Sequence, residues 1–316
     1  MKRGRLQNKV AGSNLTLPVC AALALAVWWL PQRECTMQGA LGLVLCALTT
    51  YVLLETCSQY HLIRTRTRLM SCVWLVFAAS LPFMHQADAP MMAATLLSIS
   101  YMLLLRCYQL RRPQALIFHA FVLLGAGSFF APVMLLMALL CYFCLGTFLR
   151  ALTWRGFWAG ILGLLLPFWC YAVWCYFMTD LSDFLSRLSG MACLEAPSLH
   201  ALADLPLEWR VSAGIVGLCG CVGLLHFLRN NYDDKIRVRM MLYIYAVQTI
   251  ALTAFLLLQP AQYPQTMALL VVSVSPFIAH YFALTGSILS NLFFMLTLLL
   301  IAAMLTLNLW TTSFSF

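Results

Sequence analysis

The chain has 316 residues, of which 63% are hydrophobic and 9% charged, with a formal net charge of +9. A soluble domain is roughly half apolar and about a quarter charged. Here there are too few charges to clothe a soluble core of this size, and too much apolar surface for a disordered chain. The composition predicts an all-α fold, a polytopic transmembrane helical bundle.

A bilayer core of about 30 Å takes roughly 20 apolar residues per helix, which leaves length for about ten or eleven spans. The apolar runs are continuous, as at 292–305, and lack the alternation of an outer-membrane β-barrel strand. Eleven segments are expected. They begin near Leu15, Gly39, Leu69, Pro90, Gln114, Ala131, Gly156, Val211, Met240, Pro264 and Ser287. Together residues 1–316 form a single transmembrane domain, with 179–210 as one long outer loop.

Basic residues orient the segments, because short cytoplasmic loops collect Lys and Arg. Lys2, Arg3, Arg5 and Lys9 precede the first segment. Arg64, Arg66 and Arg68 follow the second, and Arg106, Arg111 and Arg112 the fourth. Arg150 and Arg155 follow the sixth, and Arg229, Lys235, Arg237 and Arg239 the eighth. A cytoplasmic N-terminus puts all of these on one side and leaves Arg33, Arg187 and Arg210 outside. The odd count then places the C-terminus outside. The positive charge is thus a topology signal, and no nucleic-acid partner is expected.

In the first segment, no small-x-small cleavage site follows Trp28 and Trp29, so a retained helix with an interfacial tryptophan anchor is expected. Trp169, Trp174, Trp209 and Trp310 also fall near outer ends, whereas Trp74 falls within a span. The first outer loop offers Glu34 beside Arg33. Near the inner end of the second segment stands Glu55, the one carboxylate well inside an apolar run and therefore a candidate functional charge. An interfacial ion pair with Arg64 or Arg66 is the expectation for it.

The stretch 114–149 would measure about 54 Å as one helix, far beyond a single crossing. Gly125, Gly127, Ser128 and Pro132 interrupt it. Two helices are expected, joined by a tight outer turn at Phe129 and Phe130. These small residues, with Phe129 and Pro132, are candidates for lining a lipid or substrate cavity. In the outer loop, Leu181, Phe184, Leu185 and Leu188 repeat at helical spacing after Asp180. That pattern predicts an amphipathic helix lying on the membrane surface.

No metal site or cofactor is expected. The six histidines are never spaced i, i+3 or i, i+4, and Cys141-x-x-Cys144 and Cys219-x-Cys221 lack the second half of a zinc motif. His119 and His280, within spans, are expected to hydrogen-bond between helices. Cys35 and Cys193 both fall in outer loops and are candidates for a disulfide. No phosphate-binding loop, dinucleotide fingerprint or G-x-S-x-G is present.

Ile117-Phe118-His119-Ala120-Phe121, then 124–132, Arg150, Trp154, Arg155 and 163–168 carry a resemblance. This order is similar to that of an uncharacterised family of polytopic inner-membrane proteins of Bacteroidetes-type bacteria, over the first two-thirds of the chain. It implies a multi-pass protein of a bacterial inner membrane, with no activity attached. The same region also resembles membrane glycosyltransferases that use polyprenyl-phosphate sugars. That likeness implies a glycosyltransferase-C-like core and a catalytic acid in the first outer loop, where only Glu34 stands. The leading expectation is a non-catalytic envelope-biogenesis scaffold or lipid-handling protein, with membrane lipids and a membrane-protein partner. A glycosyltransferase-like enzyme and a transporter are the alternatives.

Overall fold

A computed structural model describes residues 5–29, 36–178, 180–192 and 203–314. Glu34, Cys35 and Cys193 lie outside the described residues. Thirteen helices and no strands are found among those described. In chain order, α1 is Leu6–Gly12, α2 Thr16–Trp29, α3 Met37–Tyr60, α4 Leu69–Ser80, α5 Ala89–Arg106 and α6 Gln114–Ser128. Next come α7 Val133–Thr147, α8 Trp154–Met178, α9 Leu181–Ala192 and α10 Leu207–Asn230. The last three are α11 Ile236–Leu258, α12 Tyr263–Leu284 and α13 Ile288–Phe314.

Each of the eleven expected apolar segments is a helix, the helix expected after Asp180 is α9, and α1 is an addition. Seven described helices are long and apolar enough to cross a membrane, or eight if α1 and α2, bent by 95° at their junction, count as one. The 12 residues of α4 and the 15 each of α6 and α7 reach only about 18 and 22 Å. The turn between α6 and α7 falls where the small residues and Pro132 predict it. Two helices run through 114–149, with Phe129–Pro132 between them.

The centre of the bundle is α12, nearly all of whose residues from Tyr263 to Phe282 are buried. It is ringed by α4, α5, α10 and α11, and α1 crosses its C-terminal end. Outside this ring, α2 and α3 pack on α4 and α5, and α6 joins α5 to α8. Apolar side chains do not drive helices together when lipid is the solvent, so close packing and interhelical hydrogen bonds must do so. Both are present. Gly125 of α6 meets the backbone of Leu164, and Gly163 of α8 meets the backbone of Phe118. Between α10 and α12, Gly223 meets the backbone of Phe277 in the same way. Polar links run between Thr49 and Thr95 at 2.9 Å, Tyr101 and Ser273 at 3.2 Å, and from Asn308 to the Ser80 carbonyl at 2.7 Å.

Some expectations are corrected. Trp28 is no interfacial anchor: it is 1% exposed, stacks on His85 at 4.4 Å and donates from its indole to the Gly39 carbonyl at 3.2 Å. The loop after α4, which carries His85, folds over that end. Trp74 is fully buried. His119 faces outward, and its Nδ1 pairs with the Ala115 carbonyl of its own helix at 2.6 Å rather than with another helix.

Candidate functional site

The basic residues at 5–9, 61–68, 106–112, 150–155 and 229–239 mark one end of the bundle, and a cleft of about 460 Å³ opens there. Its walls come from the bend between α1 and α2, the last turn of α3, and the loop leading into α4. Arg64, Arg66 and Arg68 line it together with His61, Glu55 and Asn14. The alternating Arg-Thr sequence of this loop sends polar groups into the cleft, while Leu62 and Ile63 bury themselves in the core and anchor the loop.

Local chemistry holds this loop in place. His61 ends α3 in the left-handed conformation, φ 49°, an uncommon state for a residue with a Cβ. Thr67 Oγ1 accepts the N–H of Leu69 at 3.2 Å, so it meets part of the donor demand of the first turn of α4. Arg68 donates to the Asn14 carbonyl at 3.3 Å and joins the loop to the α1–α2 bend. Ser13 Oγ accepts the N–H of Leu15 just before α2. The cleft is thus flanked by the residues that lead into two helix N-termini, whose partial positive charge adds to that of the arginines.

The charges in the cleft are not all free. Glu55 is half-buried on its wall and accepts a hydrogen bond from Gln59 one turn on. The expected pairing with Arg64 or Arg66 is not made, because Arg64 turns the other way. Its Nε lies 3.0 Å from Asp234 Oδ1 and its Nη1 3.6 Å from Asp233 Oδ2. Asp234 is fully enclosed, and its Oδ2 accepts from His280 Nε2 at 3.0 Å. His280 is also fully enclosed, while the Arg64 side chain keeps 41% of its exposure. One carboxylate therefore joins the α3–α4 loop, the α10–α11 turn and the central helix α12. A buried carboxylate carries a large desolvation cost, which the arginine and the imidazole offset here.

His226 on α10 extends this cluster. Its ring lies 5.8 Å from that of His280, and its Nδ1 is 2.9 Å from the Asn230 amide nitrogen. Asn231 in turn donates to Tyr243 Oη at 2.8 Å, which holds the turn that presents Asp233 and Asp234. His280 bonds across the fold, but to Asp234 in the α10–α11 turn rather than to another helix as expected. The role of Asp234 was missed. Its signal was an acidic pair inside the otherwise basic stretch 229–239. Its two partners, however, lie 46 and 170 positions away along the chain.

The other candidate residues have packing roles. Gly125, Gly127 and Ser128 are buried, Gly127 beside Met134 and Ser128 donating to the Gly125 carbonyl at 2.6 Å. Pro132 precedes the first turn of α7. Phe129 packs on Phe168 at 4.8 Å and on Tyr171 at 5.4 Å, and its carbonyl accepts from Arg187 of α9 at 2.9 Å. An apolar groove of about 710 Å³ does run beside α9, lined by Leu162, Trp169, Tyr176 and Phe184. Its walls are α8 and α9, and Phe129 is not among its lining residues. Among the described residues, no three His, Cys, Asp or Glu side chains are grouped closely enough to hold a metal ion.

Comparison with protein-family models, curated proteins and solved structures finds no match for this chain.

Proposed function

We infer that the chain is a multi-pass protein of a bacterial inner membrane that handles lipid in envelope biogenesis without catalysing a reaction. In this reading the basic cleft faces the cytoplasm and receives the anionic headgroup of a membrane lipid. The supporting observation is the cleft itself, in which three arginines and the approaches to two helix N-termini line one concavity at the end of an apolar bundle. Basic pockets between helices on the cytoplasmic side suit phosphate headgroups, because they combine charge with access to the lipid surface. Guanidinium groups match phosphate oxygens in geometry as well as in charge. Arg66 supplies the freest charge. It is exposed on the cleft wall, whereas Arg64 is held by two carboxylates and Arg68 by a backbone carbonyl.

The test is retention of phosphatidylglycerol against phosphatidylcholine by the purified protein, read by native mass spectrometry. Preferential retention is expected, with a loss of about tenfold or more in the Arg66→Ala/Arg68→Ala double variant, since each basic residue contributes about 1 kcal/mol. Millimolar inorganic phosphate should leave the lipid bound. Displacement by phosphate would make the cleft a site for soluble anions, and equal retention of both lipids would refute the reading.

A further inference from the structure

The basic cleft continues into a second concavity. Leu54 lines the cleft, and the same Leu54 lines an apolar groove that runs on between α2 and α3. Asn14 also lines the cleft, and Leu17, about one turn further on, belongs to the groove. From there the groove follows both helices, past Ala21 of α2 and Ala47 of α3, to Trp28 and Leu43. Both helices pack on α4, whose Leu75 lines the groove between them. At the far end the Trp28 indole donates to the Gly39 carbonyl at 3.2 Å and ties α2 to α3. Thr50 gives its hydroxyl to the Cys46 carbonyl of its own helix at 2.7 Å. Both of these donors are therefore spent, and what they leave in the groove is apolar.

The dimensions select the occupant. Between Leu43 and Leu54 α3 rises about 16 Å, and α2 rises as much between Leu17 and Trp28. A bilayer core of about 30 Å gives each leaflet about half that depth. The groove holds about 310 Å³, which over this length is a mean section of about 20 Å². A helix with its side chains is about 10–12 Å across and takes several times that section. The groove is too narrow for a helix and suits one extended hydrocarbon chain. We propose that the α2–α3 groove binds one acyl chain of the anionic lipid whose headgroup lies in the cleft, while the second chain stays among the bulk lipids. The proposal rests on the reading of the cleft as a headgroup site and names what else of the lipid is held.

The bend of 95° between α1 and α2 keeps the path from cleft to groove open. Because α1 turns aside to cross the C-terminal end of α12, it does not run on beside α3 and cover the mouth. Arg68 holds the bend through the Asn14 carbonyl at 3.3 Å, which fixes the mouth relative to the arginine loop. Along the walls, the small side chains of Ala21 and Ala47 leave space that a larger residue would fill. Lipid tails are as apolar as these walls, so a bound chain gains no hydrophobic energy over a bulk one. Close packing along the groove and the charge at the headgroup hold it instead. A bulky side chain in the groove therefore weakens binding, although it makes the wall more apolar.

The experiment adds lipids of defined chain number to the full-length protein in detergent and reads retention and stoichiometry by native mass spectrometry. Ala47→Phe fills the groove from an exposed position, and Leu48→Phe puts the same ring on the exposed surface outside it. Ala47→Phe should lower phosphatidylglycerol retention at least about fivefold through lost packing, and Leu48→Phe should leave it unchanged. Lysophosphatidylglycerol, with one chain, should be retained within about twofold of the two-chain lipid, because only one chain has a place in the groove. Glycerophosphoglycerol, the headgroup without a chain, should displace neither lipid at millimolar concentration. Unchanged retention by Ala47→Phe, or loss of the one-chain lipid, overturns the proposal. So does a wild-type dimer that Ala47→Phe dissociates, which would assign the groove to a second copy. If Ala47→Phe does not fold, the one-chain comparison in the wild type decides. A loss in Arg66→Ala/Arg68→Ala with none in Ala47→Phe removes the groove alone. Equal retention of phosphatidylglycerol and phosphatidylcholine by the wild type removes the headgroup site and the chain groove with it.

Discussion

A Cβ placed on Gly125 would lie 2.4 Å from the carbonyl oxygen of Leu164, closer than any real side chain approaches. The reciprocal contact, Gly163 against the Phe118 carbonyl, has the same 2.4 Å spacing. The two helices therefore touch backbone to backbone at two points, and α8 buries little else besides Gly156, Gly160 and Cys175. Among the described residues, the contact with α6 is the broadest attachment of α8, and these glycines set its closeness.

Gly125→Leu should destabilise the fold by about 1–3 kcal/mol, the range for overfilling a packed contact. The backbone cannot yield as a flexible side chain would, so the upper part of the range is expected. Gly127 faces the movable end of Met134, and Gly127→Ala should cost less. Thermal unfolding in detergent ranks the two variants, and equal losses would show that backbone contact is not the cause.

His85 gives the fold a pH dependence of its own. It sits in the loop after α4, 2% exposed, with Nε2 on the Ala79 carbonyl at 2.9 Å. Burial pushes its pKa down to about 4, against the smaller upward pull of the Ala79 and Ala78 carbonyls. The unfolded chain, with a value of about 6.5, binds the proton more readily. Stability is therefore complete above about pH 6.5, falls as the pH drops towards about 4, and levels off below that. The loss should total about 3 kcal/mol. Denaturation midpoints at about pH 7.5 and about pH 4.5, compared for the wild type and His85→Gln, isolate this share. An equal decline in both would assign the acid sensitivity to other groups.

The orientation argument predicts where reporters act. Fusions after Arg68, Arg112 and Lys235 should report the cytoplasmic side, and a fusion after Phe316 the outer side. Eleven crossings require α4, α6 and α7 each to traverse the bilayer despite lengths of about 18–22 Å. A cytoplasmic signal after Phe316 would mean an even number of crossings, with one of these short helices not crossing.

The sequence by itself determined the helices. Continuous apolar runs have one solution in lipid, where each backbone group must bond within its own segment, and Gly, Ser and Pro between runs mark the ends. The starts of α4, α6 and α9 and the α6–α7 turn follow from local composition alone. The alternation of basic loops is equally local, and it marks the end of the bundle where the cleft opens. Only the tertiary structure decided the rest. The pairing of Gly125 with Leu164 depends on how two helices cross, which their own sequences do not encode separately. Trp28 has the composition of an interfacial anchor and lies buried on His85, because a distant loop folds over it. Glu55 has arginines nearby in sequence but no ion pair with them, since Arg64 is drawn to Asp234 from the far half of the chain. Hydrogen bonds and ion pairs act over about 3–4 Å of space regardless of separation along the chain. A site assembled from Arg64, Asp234 and His280 exists only once three separate segments have packed together.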